Sequence, residues 1–167
     1  MAVAVAVGAA AAVRTGGYTV PAEIGARLRA LSAGQYVLVT HLARRICAPD
    51  DGRAPSADEV DVAGFVDDYV AEMAAPMRRD LLRFFGAIEH VLPLGLGSRR
   101  RFTDLAPADQ DRVLASLEES SVDLLRGGFA GLKSLIFMGY YRDPRTWAIL
   151  GYDGPRVGRP ERGWGAP

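Results

Sequence analysis

His41, His90 and Cys47 are the only imidazole and thiol groups in this chain of 167 residues. Metal ligands sharing one helical face stand three or four residues apart. Cys47 lies six residues after His41, and the three side chains match no zinc spacing. Glu89 and His90 are neighbours, which on a helix point about 100° apart, so they read as a surface pair rather than an acid–base dyad. Cys47 follows Leu42, Ala43 and Ile46 on an apolar helical face and reads as a buried structural thiol. Asp58, Glu59 and Asp61 read as helix caps, and Asp67 with Asp68 as a solvated face. Gly95-Leu96-Gly97 follows Pro93 with no strand before it, which makes it a helix stop rather than a phosphate cradle. Arg99, Arg100 and Arg101 read as a solvated loop. No nucleophile elbow, Walker loop or dinucleotide fingerprint occurs. The expectation is that this chain supplies no catalytic, cofactor-binding or metal-binding residue.

The elements that would position such groups are helical. Ser32 is a fitting N-cap for a helix to about Ala48, with Tyr36, Val39, Leu42, Ala43 and Ile46 at three- and four-residue intervals. Pro49 stops it, and Pro49 to Ala57 reads as a polar loop. Asp58 or Asp61 opens the next helix, carrying Val62, Phe65, Val66, Tyr69 and Met73. Pro76 sits in the first turn of a third, with Met77, Leu81, Phe84, Phe85, Ile88 and Leu92. Pro107 starts another, whose early Asp109 and Asp111 suit the helix dipole. The longest runs from about Ser121 to Tyr141 with a seam of Val122, Leu125, Phe129, Leu132, Ile136 and Tyr140. Gly127, Gly128, Gly131 and Gly139 lie within it, each costing up to about 1 kcal/mol against alanine, which is tolerable where another backbone approaches closely. Asp143-Pro144 caps a short helix that stops at Gly151. Pro21 to Leu31 can form a short helix, and no strand or hairpin is expected. The fold class is all-α, an irregular bundle of about five to six helices with extended N- and C-terminal tails. Its division is 1–31 as a flexible or partner-docked segment, 32–150 as the helical domain and 151–167 as a Gly/Pro-rich tail.

Acidic and basic residues balance at 20 each, so no global field favours nucleic acid or an anionic membrane. The single cysteine excludes an intrachain disulfide and fits a reducing compartment. Met1 to Val13 is an apolar run too short for a membrane span, which needs about 20 residues. Arg14 follows that run instead of preceding it, unlike a secretory signal. A cytoplasmic location is therefore expected, with the periplasm as the alternative. The stretch from Met138 to Pro155 gathers Tyr140, Tyr141, Trp147 and Tyr152, residue types that concentrate binding energy at interfaces.

The C-terminal half resembles the gluconate 2-dehydrogenase subunit 3 family. The resemblance rests on Phe102-Thr103-Asp104-Leu105 before the Pro107 helix, Tyr140-Tyr141, Asp143-Pro144, Trp147 and Gly151-Tyr152-Asp153-Gly154-Pro155. The helix from Ser32 ending in Cys47-Ala48-Pro49-Asp50 is similar to the family's first helix and following loop. Coverage is about residues 32 to 155. The resemblance implies a small helical subunit beside a large flavoprotein of the glucose–methanol–choline (GMC) oxidoreductase class, which holds FAD and performs the hydride chemistry. It implies no cofactor in this chain and transfers no catalytic residue. Periplasmic members of the family commonly carry a twin-arginine signal, which this sequence does not show. The resulting expectation is a non-catalytic accessory subunit that stabilises a separate FAD-dependent dehydrogenase or oxidase acting on an alcohol, sugar or sterol-like substrate. Its contact would be made by Tyr140, Tyr141, Trp147, Gly151, Tyr152, Gly154 and Pro155. The alternative is a stand-alone helical module that binds a ligand or regulates another protein.

Overall fold

The computed structural model describes residues 12–15, 17–47, 52 and 54–154. The Ala-rich start, Pro155 and the tail beyond it lie outside the described residues. Helix α1 spans Ala22–Arg27 and α2 spans Ala33–Ile46, the latter opened by a capping box. In that box Ser32 Oγ accepts the Gln35 N–H at 3.3 Å, and Gln35 Oε1 accepts the Ser32 N–H at 2.8 Å. Helix α3, Val62–Glu72, starts at Asp61, whose carboxylate accepts the Gly64 N–H at 3.1 Å. Helix α4, Ala75–His90, carries Pro76 in its first turn, and the four-residue α5, Leu92–Gly95, follows it. A 3-10 turn at Phe102–Asp104 leads into α6, Pro107–Glu118, and α7, Asp123–Tyr141. A second 3-10 segment, Pro144–Leu150, ends at Gly151 with φ 62°, the left-handed conformation that glycine tolerates best.

The periodic stripes become the core. Val39 and Leu42 of α2, Val66 and Val70 of α3, Val113 and Leu117 of α6, and Leu132 and Ile136 of α7 are all buried. Helix α2 packs on α3, while α7 packs on α3 and α6, so α7 closes the bundle. The expected seam of α7 is inward-facing from Phe129 to Tyr140, but Val122 stands just before the helix and is exposed.

The all-α bundle has one addition that the periodicity did not suggest. Ala12–Thr15 (β1) and Tyr18–Pro21 (β2) form an antiparallel hairpin, paired from Ala12 with Pro21 to Thr15 with Tyr18. Gly17, at φ 84°, lies between the strands, and β2 rests against α2. Val20 and Leu31 belong to the core, so packing with the helices begins before Ser32.

Two acidic groups expected at the surface are buried instead. Asp67 is 4% exposed. It accepts the backbone N–H groups of Arg29, Ala30 and Leu31 at 2.8, 3.0 and 2.7 Å. These three donors sit where the chain between α1 and α2 has no helical or ladder acceptors, and a buried N–H without an acceptor is costly. Asp68, by contrast, is exposed and pairs with Arg29 at 3.2 Å. Glu89 is also buried and is no surface partner of His90. It accepts the Tyr18 hydroxyl at 2.7 Å, the Thr103 hydroxyl at 2.7 Å and the Thr103 N–H at 3.3 Å. One carboxylate thereby ties the hairpin, α4 and the first 3-10 turn together. Arg101 is likewise structural: it pairs with Asp104 at 2.8 Å and lies 4.3 Å from the centre of the Tyr18 ring.

Two expected outcomes follow from these buried groups. Replacing Asp67 by alanine strands three backbone donors, at about 1–3 kcal/mol each. The variant should therefore lose about 3 kcal/mol or more in urea denaturation, and a loss below about 1 kcal/mol would contradict the clamp. Burial pushes the Cys47 thiol up from 9.0 to about 12. Burial, and then the Glu89 carboxylate, push the Tyr18 hydroxyl up from 10.0 to about 12. Both groups keep their protons in the fold at pH values where the unfolded chain has released them. Their stabilisation is complete below about pH 9 and is lost as pH rises to about 12. Denaturation midpoints should fall across that window, with Cys47→Ala removing the part that begins near pH 9.

Candidate partner-binding surface

The C-terminal segment is built around α7's last turn. Asp143 caps the following 3-10 segment by accepting the Arg145 N–H at 2.9 Å, and the Arg145 guanidinium beside it holds its carboxyl below the usual range. Thr146 is buried and donates its hydroxyl to Asp143 O at 2.8 Å. The Trp147 indole N–H donates to Tyr141 O at 2.7 Å, and its ring lies 5.2 Å from that of Tyr152. These bonds fold the chain back so that Tyr141, Trp147 and Tyr152 come together at one end of α7.

The residues singled out in the sequence divide by position. Tyr152 is 45% exposed and Gly151 is exposed, while Tyr141 and Trp147 are half-buried. Tyr140 is inside: its hydroxyl donates to Pro55 O at 2.8 Å and its ring meets Tyr141 edge-on at 5.2 Å. It supports the segment from behind rather than facing outward. Gly154 is buried with φ 102°, and Pro155 lies outside the described residues. Ile149 and Leu150, which the aromatic pattern did not mark, are exposed beside Tyr152 in the sequence and extend the apolar surface.

A second apolar surface was not read from the sequence. Helices α4 and α7 meet where the Phe84 ring lies under Gly128, 3.3 Å from where a β-carbon would stand. Elsewhere they leave a groove of about 930 Å³ walled by Met73, Leu81, Phe84, Leu125, Leu132 and Leu135. Met77, at 62% exposed, and Met138 also line it, and Leu124 is 82% exposed. The available signal was a surplus on α4. Its apolar set is larger than one buried face requires, and only Phe85 and Ile88 of that set are buried within the helix.

His41 is held by a structural hydrogen bond. The Gln110 side-chain amide donates to Phe102 O at 3.0 Å and reaches His41 Nδ1 at 3.0 Å. With both amide hydrogens so directed, Nδ1 accepts, which fits a neutral imidazole. Burial, then the Arg44 charge, hold the pKa of His41 below its usual value. His41 lines a cavity of about 630 Å³ with Thr19, Tyr36 and Thr40. Arg27–Asp61 and Arg44–Asp58 ion pairs, at 3.1 and 2.8 Å, stand at the same cavity. Among the described residues no three His, Cys, Asp or Glu side chains are placed to hold a metal ion. Among those residues, too, no helix is long and apolar enough to cross a membrane.

No curated protein and no solved structure matches the chain. A sequence family described as gluconate 2-dehydrogenase subunit 3 matches residues 33–154, which run from the first residue of α2 to the buried Gly154 and take in both apolar surfaces. With most of its length inside that match, the chain belongs to the gluconate 2-dehydrogenase subunit 3 family, one of small accessory subunits of an oxidoreductase complex.

Proposed function

We propose that this subunit binds and stabilises a separate FAD-dependent flavoprotein of the GMC class, acting on an alcohol, sugar or sterol-like substrate, and contributes no catalytic group to it. The observation that carries the reading is the apolar surface left uncovered at the end of α7 and between α4 and α7. Uncovered patches of this kind favour a protein partner. FAD belongs to the partner in this reading. Gly95 and Gly97 lie in and just after the helical turn of α5, not in the strand-to-helix turn that cradles a dinucleotide phosphate. Binding only the folded, loaded flavoprotein would stabilise that state by mass action, about 2.7 kcal/mol at a hundredfold excess over Kd.

The cavity beside His41 favours a second reading, a helical module that binds a small ligand. Its walls are mixed rather than predominantly apolar, with two ion pairs among them. The apolar surfaces outweigh it because they present more desolvation free energy to a partner.

Purification of the tagged chain from its native host separates the two readings. A co-purifying large subunit with flavin absorbance supports the accessory role, whereas a colourless, folded monomer overturns it. In the complex, Tyr152→Ala should weaken binding about tenfold, since exposed interface tyrosines are frequent hot spots. An unchanged Kd with unaltered circular dichroism would remove this segment from the contact. Trp147→Ala should weaken it too, with some loss of the variant's own stability because its indole N–H bond to Tyr141 O is lost.

A further inference from the structure

Helix α4 ends in a turn whose apolar side chains face water. After His90 the chain reads Val91-Leu92-Pro93-Leu94-Gly95-Leu96-Gly97-Ser98-Arg99-Arg100. Pro93 is buried and Leu92 packs against the core, so these two residues anchor the turn. Val91, at 58%, and Leu94, at 56%, are more exposed than covered, and Leu96 is exposed as well. None of the three lines the α4–α7 groove, and none belongs to the aromatic segment after α7. The backbone of the turn is closed on itself. The N–H groups of Leu94, Leu96, Gly97 and Ser98 donate to the carbonyls of Val91, Pro93, Leu94 and Pro93 at 2.9 to 3.1 Å.

The charge of this turn is one-sided, although the chain as a whole balances. From His90 to Thr103 there is no Asp or Glu. Glu89, just before, is buried and bonded to Tyr18 and Thr103, while Asp104, just after, pairs with Arg101. Arg99 and Arg100 are exposed, and among the described residues neither meets a carboxylate. Leu96 and Arg99 are three residues apart, at most about 11 Å of extended chain. That is close to the Debye length, about 8–10 Å at ordinary salt, so apolar and cationic groups act on the same patch of a facing surface.

We propose that this turn is a peripheral membrane contact, with Val91, Leu94 and Leu96 entering the acyl boundary of a bilayer while Arg99 and Arg100 meet its anionic headgroups. The inference stands apart from the accessory-subunit reading, since it needs no protein partner. Hydrocarbon offers backbone groups no hydrogen bonds, so a segment that enters it must pair its own, as this turn does. Aliphatic side chains beside arginines supply two signals, apolar insertion and electrostatic attraction, that together hold a protein on an anionic surface. A protein contact fits the turn less well. Leu and Val are under-represented among interface hot spots, which favour Trp and Tyr, and no aromatic residue stands between Val91 and Arg100. The turn is also short against the roughly 20–30 residues a side of a stable interface.

The test is co-sedimentation of the purified full chain with vesicles of equimolar phosphatidylglycerol and phosphatidylcholine, and with phosphatidylcholine alone. The chain should bind the anionic vesicles, and binding should collapse as salt rises to about 0.5 M. Arg99→Gln combined with Arg100→Gln should weaken it about thirtyfold, at about 1 kcal/mol per arginine. Leu94→Asp should weaken it by about tenfold or more. Its circular dichroism and melting temperature should not change, because the Leu94 side chain already meets water. In Leu96→Trp, anionic vesicles should shift the added emission to shorter wavelength, and brominated acyl chains should quench it beyond the wild-type change. No binding, or binding that neither Leu94→Asp nor the double arginine variant weakens, overturns the inference. Weaker binding of Leu94→Asp to a co-purified oxidoreductase subunit without lipid also overturns it, since the turn would then be a protein contact. The accessory role is judged separately, by what co-purifies.

Discussion

A methyl group at position 139 would press to 2.8 Å from the Phe65 ring and 3.2 Å from Val62, so α7 can cross α3 as closely as it does only with glycine there. Much else follows from that crossing. It sets Ile136 and Tyr140 into the core and brings the Tyr140 hydroxyl to Pro55 O, 85 residues away in sequence. It also places the Tyr141 carbonyl to accept the Trp147 indole N–H, which turns the chain back on itself. The aromatic surface is thus a consequence of helix packing rather than an independent loop. While α7 is held to α3 on one side and α6 on the other, α4 meets it where Phe84 lies against Gly128. The groove is the space left by that geometry.

Periodicity and capping were legible in the sequence because both are local. The Ser32 cap and the Pro76, Pro107 and Pro144 starts stand where the residues indicated, and of Asp58 and Asp61 it is Asp61 that caps α3. Cys47 is buried, as its apolar neighbours implied. What was not legible depends on distant partners. Asp67 and the backbone donors it holds are 36 to 38 residues apart, and Glu89 and Tyr18 are 71 apart. A carboxylate on a helix looks solvated until the strand or loop that reaches it is known. The hairpin is a different case. Gly16-Gly17 between Val13 and Val20 is a recognised two-residue turn signal, obscured by the alanine-rich composition before it.

The apolar surfaces were legible in part. The clustering of Tyr141, Trp147 and Tyr152 follows from their sequence proximity once α7 ends at Tyr141. Tyr140 shows the limit of composition as a guide, because one residue along a helix rotates a side chain by about 100°. That rotation is enough to send Tyr140 into the core while Tyr141 stays at its edge. The groove escaped notice for a related reason. An apolar stripe predicts that a helix face is covered, not whether this chain or another covers it.

That distinction bears on why such a chain would be kept as a subunit. Leu124, Met77 and Leu150 are among the most exposed large apolar residues, and none contributes to the buried core. Each leaves apolar area in water that burial would stabilise at about 25 cal/mol per Å². A free-standing protein gains nothing from these exposures and risks association through them. A subunit that spends its working life against another protein gains binding energy from the same residues. The polar clamps complement this arrangement. Asp67 and Glu89 fix the first half of the chain from within, while Met77 and Leu124 stay at the surface, where a partner would bury them.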